Sequence, residues 1–339
     1  MILLAIAALR TLTVSYPGRG VECAISAAIL LAAALSRNLT RPPLAVFGFG
    51  GIALIAAIQF LTGSTVYRYD TFGSILYWAS LAAACWIAPP KRWLTLVLAF
   101  AACVAVTILI PPLPDLVGPF QSRNNAASFL LLFLPLALHR AFSRTQLDLI
   151  PLALATLLVA ALFATGSRAG AALAVLETAG LLLLCRPPRQ AVLATLGVLA
   201  AALATAGALF ARFHEATLGF RPEILASTFH MFRDRPLFGF GLGTFESVYP
   251  AYATFDTGLV VNYAHNDWAQ LGAEGGVPAA TCFGLLLIAA LRVLRAQPWS
   301  IGLIAVLLHA LVDYPFARAG VALWFAILLG IATRDEAGS

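Results

Sequence analysis

PLAVFGFGGIALIAAIQFL, residues 43–61, carries a single polar side chain, Gln59, and no charge. At a rise of about 1.5 Å per residue such a stretch matches the roughly 30 Å of a bilayer's hydrocarbon core, so it reads as a transmembrane helix. The rest of the chain repeats the theme. Of its 339 residues 61% are hydrophobic and only 11% are charged, with a mean hydropathy of +0.91. Soluble domains carry about 25% charged residues, and this chain has too little polar surface to solvate a folded ball. It is read as an integral membrane protein with no room for a separate soluble catalytic domain.

Apolar runs broken by Arg, Pro and Gly clusters predict spans at 2–15, 20–36, 43–61, 71–88, 93–110, 125–138, 149–164, 169–185, 191–211, 277–291, 299–312 and 317–333. That is an all-α polytopic protein of about twelve helices. The first run is short and contains Arg10, and no small-residue cleavage pattern follows it, so it is read as a span and not as a removed signal. One set of alternate loops holds Arg37, Arg41, Lys91, Arg92, Arg140, Arg144, Arg186, Arg189, Arg292, Arg295 and Arg334. The positive-inside rule makes that set cytoplasmic, together with both termini. The net charge of +6 is thereby spent mostly on topology, and nucleic acid is not an expected partner. All the basic residues but Lys91 are arginine, a bias that suits phosphate or carboxylate but that GC-rich coding also produces.

The organisation expected is helices 1–9 over 1–211, a periplasmic segment over 212–276, and helices 10–12 with a short cytoplasmic tail over 277–339. The long segment holds aromatic residues from Phe213 to Trp268, which must pack on something. Pro222 and the near-helical spacing of Ile224, Leu225, Thr228, Met231 and Phe232 predict a membrane-surface helix over 222–234, ended by the turn GFGLG at 239–243. Those glycines are no nucleotide loop, since no Lys-Ser/Thr follows and no strand precedes.

Arginines on the outer face run against the topological bias: Arg123, Arg168, Arg221, Arg233, Arg235 and Arg318. Arg168, in ATGSRAG (164–170), is flanked by small residues that let a ligand approach the backbone. Snorkelling to lipid headgroups is the other reading, and the one preferred for Arg233 and Arg235. In NYAHNDWAQLGAEGG (262–276), Asn266 or Asp267 caps a helix running to the Gly275–Gly276 break, and His265 just before it is suited to take a proton from an alcohol or to hold structure. Asp313, at the outer end of the eleventh span, is placed to orient an Arg or His. Glu177 is an intramembrane carboxylate and a functional candidate by default. His214 and His230 have no accompanying Cys or carboxylate pattern, no Asp-x-Asp pair occurs, and no metal or cofactor is expected. Five cysteines, an odd number at the edges of apolar runs, read as core or lipid-phase residues.

Five stretches in order resemble the O-antigen ligase and polymerase superfamily of bacterial membrane glycosyltransferases: SRNNAASFLLLFLPLAL (122–138), ATGSRAG, RPEILASTFHMFRDRPLFGFGLGTF (221–245), AHNDWAQLGAEGG and HALVDYPFARAG (309–320). The resemblance is strongest over 120–331. It implies a GT-C-like helical enzyme of the bacterial inner membrane, its active site on the periplasmic face. Such an enzyme takes a glycan from an undecaprenyl diphosphate carrier and joins it, with inversion and without a metal, to an acceptor hydroxyl. Arg168, Arg221 and His265 then match the family's catalytic arginines and histidine. Asp313 matches the family's acidic residue, and Arg123, Asn124, Asn266 and Asp313 are expected to bind substrate. Fixed guanidinium groups would stabilise the charge growing on the leaving diphosphate. His265 would take the hydroxyl proton or else donate to the diphosphate.

Lipid A core is the preferred acceptor, which makes the chain a ligase. A polymerase extending a carrier-linked glycan and a protein O-glycosyltransferase are the alternatives within the family. Outside it stand an anion transporter, with Glu177 and Gln59 lining a path, and a scaffold for polysaccharide assembly. Internal repeats, which many transporters show, are absent from the sequence.

Overall fold

The computed structural model describes residues 1–13, 19–36, 41–110, 116–142, 148–212, 220–256, 258 and 260–334, with backbone only for Arg19 and 205–212. Arg37, Arg144, Phe213 and His214, on which some expectations rested, lie outside the described residues. The fold is all-α: α1 (Ile2–Leu12), α2 (Arg19–Ala34), α3 (Leu44–Thr62), α4 (Arg68–Trp86), α5 (Leu94–Leu109), α6 (Arg123–Phe142), α7 (Leu149–Ala164), α8 (Arg168–Cys185), α9 (Arg189–Arg212), α10 (Arg221–Asp234), α11 (Phe245–Val248), α12 (Asp267–Val293), α13 (Ile301–His309) and α14 (Ala319–Thr333). No strand occurs among the described residues, only an isolated bridge between Val117 and Phe120.

Every expected span has its helix. α3, with Pro43 at its N-cap and Gly63 in the left-handed region at its C-cap (φ 72°), coincides with the apolar run 43–61. Five helical stretches are long and apolar enough to cross a membrane: Leu44–Thr62, Lys91–Leu109, Arg123–Phe142, Arg168–Cys185 and Asp267–Val293. Six further apolar helices are shorter, and α4 starts with Arg68 and Asp70 in its first turn. The protein is an all-α polytopic membrane protein.

α6 is the axis. It is buried along nearly its whole length and packs against α5, α7, α8, α13 and α14. Phe129 and Phe133 pack ring to ring at a tilt, Phe133 meets Trp324 of α14, and Phe100 of α5 closes the cluster. Gly302 lets α13 cross α6 closely, since a Cβ there would collide with the Leu131 carbonyl. α1 joins the bundle through Thr11, whose Oγ1 accepts the indole N–H of Trp324 (2.9 Å), and Arg10 pairs with Glu22 of α2 (2.5 Å).

The surface segment is tied down where α12 breaks. Gly276 has φ 68° and ψ −168°, and Pro278 has no N–H to give the carbonyl four residues back, so the Glu274 carbonyl loses its helical partner. Gly241 N–H (2.9 Å) and the Gln59 amide (2.8 Å) replace it. Val277 N–H goes to the Pro236 carbonyl (2.8 Å), and Phe240 N–H takes the Ala273 carbonyl in its stead (3.2 Å). Gln59 also donates to Phe238 O (2.6 Å) and accepts from Leu242 N–H (2.9 Å), while the Glu274 carboxylate receives Gly243 N–H (3.0 Å) and Phe245 N–H (2.9 Å). At Gly239 (φ 60°) a side chain would strike the Glu274 backbone. The GFGLG turn is thus a plug fitted to a gap in α12, and α10 packs beside it.

Candidate active site

The helix ends that carry the candidate residues meet at one end of the bundle. α12 starts there because Asn266 caps it: the side-chain oxygen accepts Ala269 N–H (2.9 Å), and the amide donates to Leu311 O beyond α13 (2.8 Å). Asp267 N–H also reaches Ala310 O (2.9 Å). Both ends of the Asn266 amide are therefore engaged in structure, so its contribution to substrate binding is limited to its second N–H. His265, just before the cap, is held at φ 52°, a left-handed conformation costing on the order of 1 kcal/mol for a residue with a Cβ. Its ring meets Tyr314 edge-on at 4.9 Å, and Nδ1 lies 3.7 Å from Asp313 Oδ1, an ion-pair distance longer than a hydrogen bond.

Asp313 is fully buried, and neither carboxylate oxygen has a hydrogen-bond partner among the described residues. Burial pushes its pKa up, but His265, His309 and Arg221 outweigh that and hold it below the usual carboxylate value. Arg221, the first residue of α10, donates to Val312 O (3.1 Å) and so brings its charge next to Asp313. His265, Asn266, Arg221 and Asp313 therefore come together from three separate parts of the chain.

A second group sits at the N-termini of α6 and α8. Ser167 caps α8 by accepting Gly170 N–H (3.2 Å), and its hydroxyl donates to Asn124 Oδ1 (2.8 Å). At Gly170 a Cβ would come within 2.5 Å of the Ala127 methyl, so the two helix starts lie in close contact. Arg168 and Arg123 are the first residues of these helices, are exposed, and have no hydrogen-bond or ion-pair partner among the described residues. Cations at a helix N-terminus oppose its dipole, and free N–H groups and guanidinium together favour an anion there.

Sequence reading missed His309, which joins the two groups. It is buried, its Nδ1 lies 2.7 Å from Ser128 Oγ of α6, and its Nε2 has no hydrogen-bond partner among the described residues. The signal was present in HALVD, where a spacing of four puts His309 on the same helical face as Asp313. Also missed were Tyr263 and Tyr314, stacked at 4.5 Å with Arg318 above both rings, at 5.4 and 5.2 Å. Arg235 lies over Phe240 at 4.5 Å, consistent with a stabilising role at a helix end. Glu177 is buried in α8 with both oxygens unpaired, so no hydrogen bond or ion pair among the described residues links it to this site. Gln59 spends its amide on backbone groups. Among the described residues no three His, Cys, Asp or Glu side chains cluster as metal ligands, and the cysteines are all free.

No curated protein matches the chain. Residues 152–284, from α7 to the middle of α12, match the family model described as O-antigen ligase. Arg168, Arg221, His265 and Asn266 fall inside that match, while Arg123, Asn124 and Asp313 lie outside it. Over this stretch the chain carries the pattern of the O-antigen ligase and polymerase superfamily, whose members are enzymes of the glycosyltransferase type.

Proposed function

We propose that the protein is an O-antigen ligase-like glycosyltransferase, moving a glycan from undecaprenyl diphosphate to a hydroxyl of lipid A core. It would work on the periplasmic side of the bacterial inner membrane, with both termini cytoplasmic, the segment 212–276 outside and the bundle crossing about twelve times. The observation that carries the reading is the convergence of His265 and Arg221 on the buried, ionised Asp313. Arg168 and Arg123 stand without partners at the helix starts tied to the same network by Ser128 and His309.

In this reading the exposed arginines and the N-termini of α6 and α8 take the carrier diphosphate. The acceptor hydroxyl gives its proton to His265 as its oxygen attacks the anomeric carbon. The bond from that carbon to the phosphate oxygen breaks with its electron pair leaving on the diphosphate, and the anomeric centre inverts. Asp313 holds the imidazole and stabilises the imidazolium, and Arg168 and Arg221 stabilise the departing charge in a site of low dielectric. Asn124 and Asn266 set the helix starts that aim these groups.

The test is transfer by purified protein in nanodiscs from undecaprenyl-diphosphate glycan, with EDTA present and lipid A core or a second carrier-linked unit as acceptor. Transfer to lipid A core that survives chelation and disappears in His265→Ala and Arg168→Ala is the expected result. Elongated carrier-linked chains would make the protein a polymerase instead, and transfer indifferent to both substitutions would overturn the assignment of the site.

A further inference from the structure

A cavity of about 250 Å³ lies where α3 begins and where α4, α12 and α14 end. Three arginines line it: Arg41 ahead of α3, Arg292 in the last turn of α12 and Arg334 just past α14. No carboxylate lines it among the described residues. Pro43, Leu44, Trp86 and Val293 give it an apolar wall. α12 starts beside His265 and ends here, so this cavity and the candidate active site stand at opposite ends of the bundle.

Arg334 donates from Nη2 to Trp86 O at the end of α4 (3.0 Å), while its Nε is buried with no hydrogen-bond partner among the described residues. Arg41 and Arg292 are exposed and make no hydrogen bond, ion pair or ring contact to a described residue. The carbonyl ends of the helices answer only part of this charge. Topology accounts for arginines at this end of the bundle, but not for three of them sharing one cavity with no carboxylate among its described lining residues. Like charges in a half-enclosed place repel, and an anion that bridges them removes that cost. The planar guanidinium fork matches a phosphate oxygen pair. The first turn of α3, whose N–H groups have no intrahelical acceptor, opens on the same cavity through Leu44. Basic pockets between membrane helices take phospholipid headgroups in this way, and the apolar wall suits what a headgroup is attached to.

We propose that this cavity is a phosphate-binding site in which Arg41, Arg292 and Arg334 hold one anionic group, remote from the candidate active site and independent of what the chain transfers. An anionic phospholipid headgroup and free phosphate present the same group to it. Once bound, that group ties the start of α3 to the ends of α12 and α14. α3 carries Gln59, which holds the GFGLG turn, and α12 carries the cap beside His265, so the helices it ties are those that support the other end.

The test is native mass spectrometry of the full chain in neutral detergent, titrated with phosphatidylglycerol or phosphatidylcholine, beside thermal unfolding in inorganic phosphate or chloride at equal ionic strength. Both are run with Arg123→Gln and Arg168→Gln in place, so that the exposed arginines of the other end contribute nothing. Phosphatidylglycerol should bind at least about fivefold more tightly than phosphatidylcholine, or inorganic phosphate should raise Tm above chloride. Adding Arg41→Gln and Arg292→Gln should weaken that binding about tenfold, the size of one charge-assisted contact, and neither side chain has a bond within the described protein to lose. A lipid preference with no response to phosphate identifies the headgroup as the source of the anion, and the reverse identifies free phosphate. Absence of both responses, or a response that Arg41→Gln and Arg292→Gln leave in place, overturns the proposal. Binding that appears only after Asp335→Asn and Glu336→Gln, at positions outside the described residues, also overturns it, since the chain would then supply the anion itself.

Discussion

The two regions that meet at Tyr263 and Tyr314 differ in the side chains that line them. Beyond Tyr314, Arg221 and His265 surround one buried aspartate, and Arg168 and Arg123 stand open at helix starts. Around Tyr263, a cleft gathers Asp70, Glu246 and Asp267 with no basic side chain among its described lining residues. Basic side chains gather on one side of that wall, and carboxylates with the rings of Tyr77, Trp78 and Tyr263 on the other. In the transfer reading proposed above, the basic side is the one suited to the departing diphosphate.

The largest effects should come from the basic region. His265→Ala and Arg221→Ala are expected to lower the rate of transfer by about 10²–10⁴, the range for losing a general base or a charge-stabilising donor. Arg168→Lys should recover only part of the activity lost in Arg168→Ala, because a point charge replaces a planar fork. If cleft substitutions such as Tyr263→Ala cost as much kcat as these, the division between the regions fails.

Glu274→Ala would leave the Gly243 and Phe245 N–H groups without their acceptor, and thermal unfolding in detergent should show a loss of about 2–3 kcal/mol. Ser128→Ala releases one nitrogen of His309 and should lower kcat by about tenfold with little change in either KM, as expected of a residue that positions and does not bind. On acidification the stabilising contribution of Asp313 is complete above the ordinary carboxylate value of about 4 and is lost as pH falls through its depressed native value. Unfolding of wild type should therefore approach that of Asp313→Asn as pH drops, and a gap that widened would contradict the charged pairing. The smallest effect belongs to Glu177→Gln, which should leave transfer within about twofold, remote and unshared sites being independent. Loss of function there with His265→Ala tolerated would speak for a transporter.

Apolar length decides membrane helices, and length is written locally, so a helix stands at each expected span, five of them long and apolar enough to cross a membrane. The Asn266 cap, the Gly276 break and the helix α10 were legible for the same reason. Arg168, His265 and Asp313 could be picked out because they interrupt apolar or small-residue surroundings. What escaped depends on pairs distant in the chain. Ser128 and His309 are 181 residues apart, and neither alone differs from an ordinary polar residue in a helix. The cleft escaped in the same way, being assembled from α2, α4, α12 and a turn whose carboxylates have no common spacing. Glu274 looked like one more helix carboxylate until the backbone of the GFGLG turn was found on it.

Gln59 is one polar side chain near the end of an apolar helix, and its three hydrogen bonds hold the backbone at Phe238, Leu242 and Glu274. It works as a rivet between a membrane helix and the chain that lies over it. A riveted turn cannot swing as a gate. In the transfer reading, a long lipid-linked substrate would then enter and leave with the plug standing still and the lipid doing the moving.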